Sequence, residues 1–94
     1  MLLFVSVSLA ATLTVGSSGA YSTINSAISA AQAGDVVEVQ PGVYAETPTL
    51  AGKNITLVSR DGPWTTTIAA SAEIVLDSGT FEGFTLSPAY ATAV

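Results

Sequence analysis

The chain contains no cysteine and no histidine. Disulfides, thiolate or imidazole metal sites, cysteine nucleophiles and histidine acid–base chemistry are therefore excluded from its 94 residues. Positive charge is nearly absent: Lys53 and Arg60 face seven acidic residues, for a formal net charge of −5. Nucleic-acid binding needs several cations to neutralise phosphates, so that class is set aside. The same arithmetic disfavours direct binding of polyanionic sugars unless a divalent cation bridges carboxylate to carboxylate. Charged residues make up only 10% of the chain, against about a quarter in ordinary soluble domains. No apolar run approaches the roughly 20 residues that span a bilayer.

What is present is a half-apolar chain, 49% hydrophobic, whose surface must be built from Ser, Thr, Gly and Asn. That is the habit of secreted β-solenoids more than of cytosolic enzymes. The length allows one domain, close to the size where folding alone becomes marginal. Residues 1–10 carry two readings. Leu2 to Ala10 form a short apolar run ending in Ser8-Leu9-Ala10, small residues of the kind a signal peptidase cleaves after, although no Lys or Arg precedes it. Val5-Ser6-Val7-Ser8-Leu9 also alternates with period two, as a first strand does.

From residue 11 to residue 94 the pattern is that of one β-rich unit. Thr12-Leu13-Thr14-Val15 reads as a strand, followed by a Gly16-Ser17-Ser18-Gly19 break. Ile24, Ala27, Ile28 and Ala31 then fall on one helical face, with Ser22 or Thr23 placed to cap the start and Gly34 to end it. The spacing predicts a helix of about three turns over residues 22–33. Beyond it, short β segments are separated by Pro41-Gly42, Gly52-Lys53-Asn54, Asp61-Gly62-Pro63, Asp77-Ser78-Gly79 and Ser87-Pro88. Thr47 to Leu50, Thr65 to Ile68 and Gly83 to Leu86 recur at an eighteen-residue spacing, and so do Val39, Leu57 and Val75. Two apolar ladders with one period predict coils stacked along an axis over residues 35–87, since one coil alone cannot bury its inward face. In that arrangement Thr49, Thr67 and Thr85 stack on the outside, as do Thr47 and Thr65. A meander or sandwich needs no constant spacing and ranks below the solenoid.

The stretch Tyr21-Ser22-Thr23-Ile24-Asn25-Ser26-Ala27-Ile28-Ser29-Ala30-Ala31, then Gly34-Asp35-Val36-Val37-Glu38-Val39, then Pro41-Gly42-Val43-Tyr44-Ala45-Glu46, resembles the start of pectin-lyase-like right-handed β-helix proteins. Lys53-Asn54-Ile55-Thr56-Leu57 and Gly83-Phe84-Thr85-Leu86 resemble their next coils, so the likeness covers about residues 20–87. It implies an all-β, right-handed parallel β-helix of about three coils with an N-terminal capping α-helix. The helix is expected to cover the exposed end of the first coil, and Tyr44 to pack across the Pro41-Gly42 corner. A left-handed β-helix is the second choice, because its six-residue aliphatic pattern is only partly present. The resemblance also implies an N-terminal piece of a secreted or cell-surface protein whose full form binds or cleaves polysaccharide. The superfamily spans lyases, esterases, epimerases, tailspikes and surface proteins without catalysis. Its catalytic groups generally lie on later coils, so no catalytic residue is carried over.

Several residue sets invite sharper readings. Asp61, Glu73, Asp77 and Glu82 are hard oxygen donors of the type calcium takes, but Asp-Gly and Asp-Ser-Gly are also what turns use. Glu73 and Asp77 flank one segment as glycosidase carboxylates do, yet solvated surface acids explain them as well. Thr-x-Thr pairs at 47/49 and 65/67 resemble an ice-binding face, although threonine is a strong strand former in any case. Asn54-Ile55-Thr56 is a glycosylation sequon. Trp64 and Tyr90 offer aromatic faces for sugar rings, with Trp64 expected to fold over its own turn instead. No catalytic, cofactor or metal residue is assigned. The expected partners are polysaccharide through the longer protein and, through an open edge at residues 87–94, a second copy of the chain. A structural or adhesive solenoid module without chemistry is the rival function, and ice binding the third.

Overall fold

Thr12-Leu13-Thr14-Val15 places polar and apolar side chains on opposite sides of an extended backbone, and it forms strand β1 (Thr12–Val15). The computed structural model describes residues 10–50, 52–70, 74 and 79–86. Among these, β1 is followed by helix α1 (Ile24–Ala30) and then by β2 (Val36–Val39), β3 (Gly42–Tyr44), β4 (Thr56–Ser59), β5 (Thr66–Ile68), β6 (Thr80–Glu82) and β7 (Thr85–Leu86). The strands make two sheets, in the orders β1-β2-β4-β6 and β3-β5-β7, and each of these pairings is parallel. From β2 onward the chain alternates between the sheets. Strands in parallel sheets with one short helix are consistent with an all-β parallel solenoid.

The core follows from the alternation. In the four-stranded sheet Leu13, Val37, Leu57 and Phe81 stand in register, and so do Val15 and Val39. Val15, Val37, Val39 and Leu57 are fully buried, with Leu13 and Phe81 packed at the margins. Ile68 from β5 and Leu50, Ile55 and Ile74 from the connections close the interior, joined by Ile24, Ala27 and Ile28 from one face of α1. Each of the fully buried Val, Leu and Ile side chains contributes about 1.5–3 kcal/mol by leaving water. The rings of Phe81 and Phe84 meet at 4.9 Å between centroids, tilted by 34°. Gly79 (φ +85°) is required where the chain enters β6, because a Cβ there would sit 2.2 Å from the Ile55 carbonyl oxygen.

The constant eighteen-residue ladder does not hold throughout. Leu57 lies opposite Val37, a step of twenty, and Val39 opposite Ser59. Leu57 to Phe81 and Tyr44 to Ile68 are steps of twenty-four. Eighteen is realised between Thr67 and Thr85 and between Ile68 and Leu86; Val75 lies outside the described residues. The cause is local: Gly34 N–H donates to the Asn54 carbonyl (2.8 Å), Thr56 N–H to Asp35 (3.0 Å) and Arg60 N–H to Val39 (2.9 Å), which fixes the β2–β4 register from both ends.

The helix is shorter than the 22–33 expected. Thr23, not Ser22, is its N-cap, its Oγ1 accepting from Ser26 N–H, and at Ala31 the backbone is already extended (ψ 151°). Gly34 (φ +91°) belongs to the next turn. As expected from Thr12 to Val15, one strand precedes α1, which lies between β1 and β2; its two ends are tied to the connection from β3 to β4. Tyr44 does close the corner, its hydroxyl donating to the Gln40 carbonyl at 2.6 Å. Burial, reinforced by the nearby Glu46 carboxylate, pushes the phenol pKa up, so the group stays a donor. No helix among the described residues is long and apolar enough to cross a membrane. The signal-peptide or first-strand readings fall on residues 1–10, of which 1–9 lie outside the described residues, as does the C-terminal edge at 87–94.

Candidate functional site

Three ionisable residues dispersed in the sequence are spent on holding the helix and the first strands. Glu46 accepts from the backbone N–H groups of Ile24 and Asn25, each at 2.9 Å, so a carboxylate sits on the positive end of α1. At the other end Lys53 Nζ donates to the carbonyls of Ile28, Ser29 and Ala31 at 2.8, 3.0 and 2.9 Å. Asp35 accepts from Ala11 N–H and Gln32 N–H, both at 2.9 Å, and these bonds hold its pKa below the usual value of 3.8. The Asn25 amide acts as a piece of strand, giving a hydrogen bond to the Thr47 carbonyl and taking one from Thr49 N–H. In the sequence Asp35, Glu46 and Lys53 stand out as letters of motifs and as charges, not as partners of backbone groups. Their signal was position: a carboxylate or ammonium next to a turn.

The threonine face consequently does not form as expected. Thr47 and Thr49 lie in the connection held by Asn25, and the residue opposite Thr67 in β3 is Val43. Thr67 and Thr85 do stand in register. The outward column of the three-stranded sheet is thus Val43, Thr67, Thr85.

Beside that column stands the turn at residues 61–65. Gly62 N–H donates to Ser59 Oγ (3.1 Å), and Thr65 donates to the Gly62 carbonyl through both its N–H (3.4 Å) and its hydroxyl (3.2 Å). Gly42 N–H binds the Thr65 carbonyl (2.9 Å), and Thr85 Oγ1 donates to the Pro63 carbonyl (2.5 Å). Trp64 does not fold over this turn: the residue is 96% exposed, and Val43 is 74% exposed.

The metal and carboxylate-pair readings gain no geometry. Asp61 is taken by Arg60, whose Nε and guanidinium NH2 both lie 3.0 Å from Oδ2. Glu82 sits on the outer face of β6, in register with Val58. Glu73, Asp77 and Tyr90 lie outside the described residues, and among the described residues no three acidic side chains converge. Asn54 serves its turn through a backbone carbonyl, with its side chain exposed.

No family model, curated protein or solved structure matches the chain. Its function has to be read from its own residues.

Proposed function

We propose that these residues form the cap and about three first coils of a right-handed parallel β-helix, secreted or displayed at the cell surface, whose longer form binds or cleaves polysaccharide. The observation that carries the reading is the alternation of β2 to β7 between two parallel sheets. Short strands with one apolar face obtain a shared interior by this kind of stacking. Handedness is argued from the chirality of parallel crossovers, right-handed in about 98% of cases. The motif residues support the resemblance physically: Asp35 and Glu46 each bond two backbone N–H groups at the start of the stack. A sugar ligand is supported by the exposed indole of Trp64.

A non-catalytic adhesive module is the second reading. It is favoured by the occupation of Asp35, Glu46, Lys53, Arg60 and Asp61 in internal contacts. Affinity electrophoresis through gels cast with pectin, alginate, xylan or hydroxyethylcellulose tests the polysaccharide claim. Retardation in at least one gel is expected, and equal mobility in all of them overturns it. Release of new reducing or unsaturated ends by the longer protein separates the enzyme from the module. Nuclear Overhauser contacts of antiparallel hairpins between neighbouring strands would end the β-helix reading.

A further inference from the structure

We propose that the Trp64 turn is a platform for a neutral polysaccharide, the indole face lying against a pyranose ring. This deepens the polysaccharide reading and rests on it. A lone exposed apolar side chain is ordinary on a protein surface; three observations set this one apart.

The first is preorganisation. A mobile loop carrying a tryptophan loses much of its binding energy in ordering itself, but this turn is already fixed. Ser59, Gly62, Thr85 and Gly42 hold it through five hydrogen bonds, two of them from strands on either side of β5. The indole is presented on a rigid support and remains 96% exposed.

The second is what surrounds it. The outward column Val43, Thr67, Thr85 offers one exposed aliphatic side chain and two hydroxyls along the stacking direction of the strands. Thr85 Oγ1 spends its proton on Pro63 and keeps its lone pairs to accept from a sugar hydroxyl. Arg60 and Asp61, about half exposed at the start of the same turn, add donors and acceptors without net charge. A sugar ring presents the matching chemistry: an apolar C–H face for the indole, hydroxyls around its rim for the polar groups.

The third is charge, which selects among sugars. A uronic-acid polymer needs cations, and the chain has two basic residues against seven acidic ones. Arg60 is paired with Asp61, and Lys53 is bonded to three carbonyls at the end of α1. A polyanion would meet a surface of net negative charge, while a neutral polymer meets no such penalty.

Trp64 is the sole tryptophan, so fluorescence excited at the red edge, where the three tyrosines do not absorb, reports on this turn alone. The chain is titrated with cellohexaose, xylohexaose, mannohexaose and hexagalacturonate, and binding is measured in parallel by calorimetry. A saturable change in emission with at least one neutral hexasaccharide is expected. Trp64→Ala should weaken that binding about tenfold or more, with Trp64→Phe in between and an unchanged far-ultraviolet circular dichroism spectrum. If Trp64→Ala fails to fold, the Trp64→Phe affinity decides. Wild-type affinity in the folded variants, or calorimetric binding without an emission change, overturns the platform. Preference for hexagalacturonate overturns the neutral ligand and leaves the polysaccharide reading standing; binding of none of the four removes the platform, and retardation in the gels then decides the broader reading separately.

Discussion

In the sheet of β1, β2, β4 and β6 the buried polar side chains stand at strand ends and all have partners, whereas in the sheet of β3, β5 and β7 the buried polar group has none among the described residues. Asp35 immediately precedes β2 and joins Ala11 to Gln32. Gln40 immediately follows it, accepting from Ser18 N–H and donating to Ser18 Oγ. Ser59 ends β4, donating to the Gly83 carbonyl and accepting from Gly62 N–H. On the central strand of the other sheet, Thr66 is 0% exposed and its hydroxyl is unbonded. The difference teaches what makes a buried polar group tolerable between parallel strands. Ser59 and Thr66 are both terminal residues of their strands, so position along the strand does not separate them; Ser59 meets a turn N–H and a carbonyl that its hydroxyl satisfies. No group among the described residues reaches the Thr66 hydroxyl, which is buried without the bond that such a group normally has.

The strongest way to break this comparison is through the interior of the first sheet. Leu57 is fully buried between Val37 and Phe81, and Leu57→Ala should cost about 2–5 kcal/mol. That is a large share of the stability of a chain this small, so urea unfolding should begin near zero denaturant. A midpoint within experimental error of wild type would mean that the ladder is not the core. Smaller is the effect at the helix that bridges the sheets' connections. Lys53→Met keeps the apolar stem and removes three carbonyl bonds, which should cost about 1–2 kcal/mol, whereas Lys53→Arg should recover part of it. Wild-type stability in Lys53→Met would point to packing of the stem instead of charge.

Asp35 tests the satisfied ends through pH. Its folded pKa is depressed, so its stabilising contribution is complete above the ordinary aspartate value near 3.8 and is lost as pH falls through the lower folded value. Wild type should therefore lose stability below about pH 4, and Asp35→Asn should be less stable at neutral pH with a flatter acid limb. Parallel acid limbs in the two proteins would show that Asp35 is not the group that titrates.

How much of this was legible in the sequence depended on parity. A one-residue slip of a strand reverses its faces and exposes the core, so Leu13, Val37, Leu57 and Ile68 could be turned inward from alternation alone. A slip of two residues leaves every face unchanged. Pairing Leu57 with Val39 or with Val37 is then equally apolar, and the eighteen-residue ladder was indistinguishable from the observed steps of twenty and twenty-four. What decides between them, such as the bond from Gly34 N–H to Asn54, joins backbone groups that carry no side-chain signature. The helix face was legible for the same reason as the strands, but not its end, because Lys53 takes up its last carbonyls from the connection between β3 and β4. At the candidate site, Trp64 was visible as a residue type and invisible as an exposed one. Its orientation follows from hydrogen bonds of Ser59 and Thr85, twenty-six residues apart, that hold the turn.

The smallest effect has the opposite sign and discriminates best. Thr66→Val exchanges an unbonded buried hydroxyl for a methyl group of nearly the same shape and keeps the β-branch that suits a strand. Relieved of that desolvation cost, the variant should gain about 1 kcal/mol. The same kind of exchange at Ser59, Ser59→Ala, leaves the Gly83 carbonyl and Gly62 N–H without their partner, so it should lose stability by a similar amount. Urea midpoints for the two variants should thus move in opposite directions from wild type. If both fall, Thr66 has a partner in solution, an internal water being the simplest, and the contrast between the two sheets reduces to one of exposure alone.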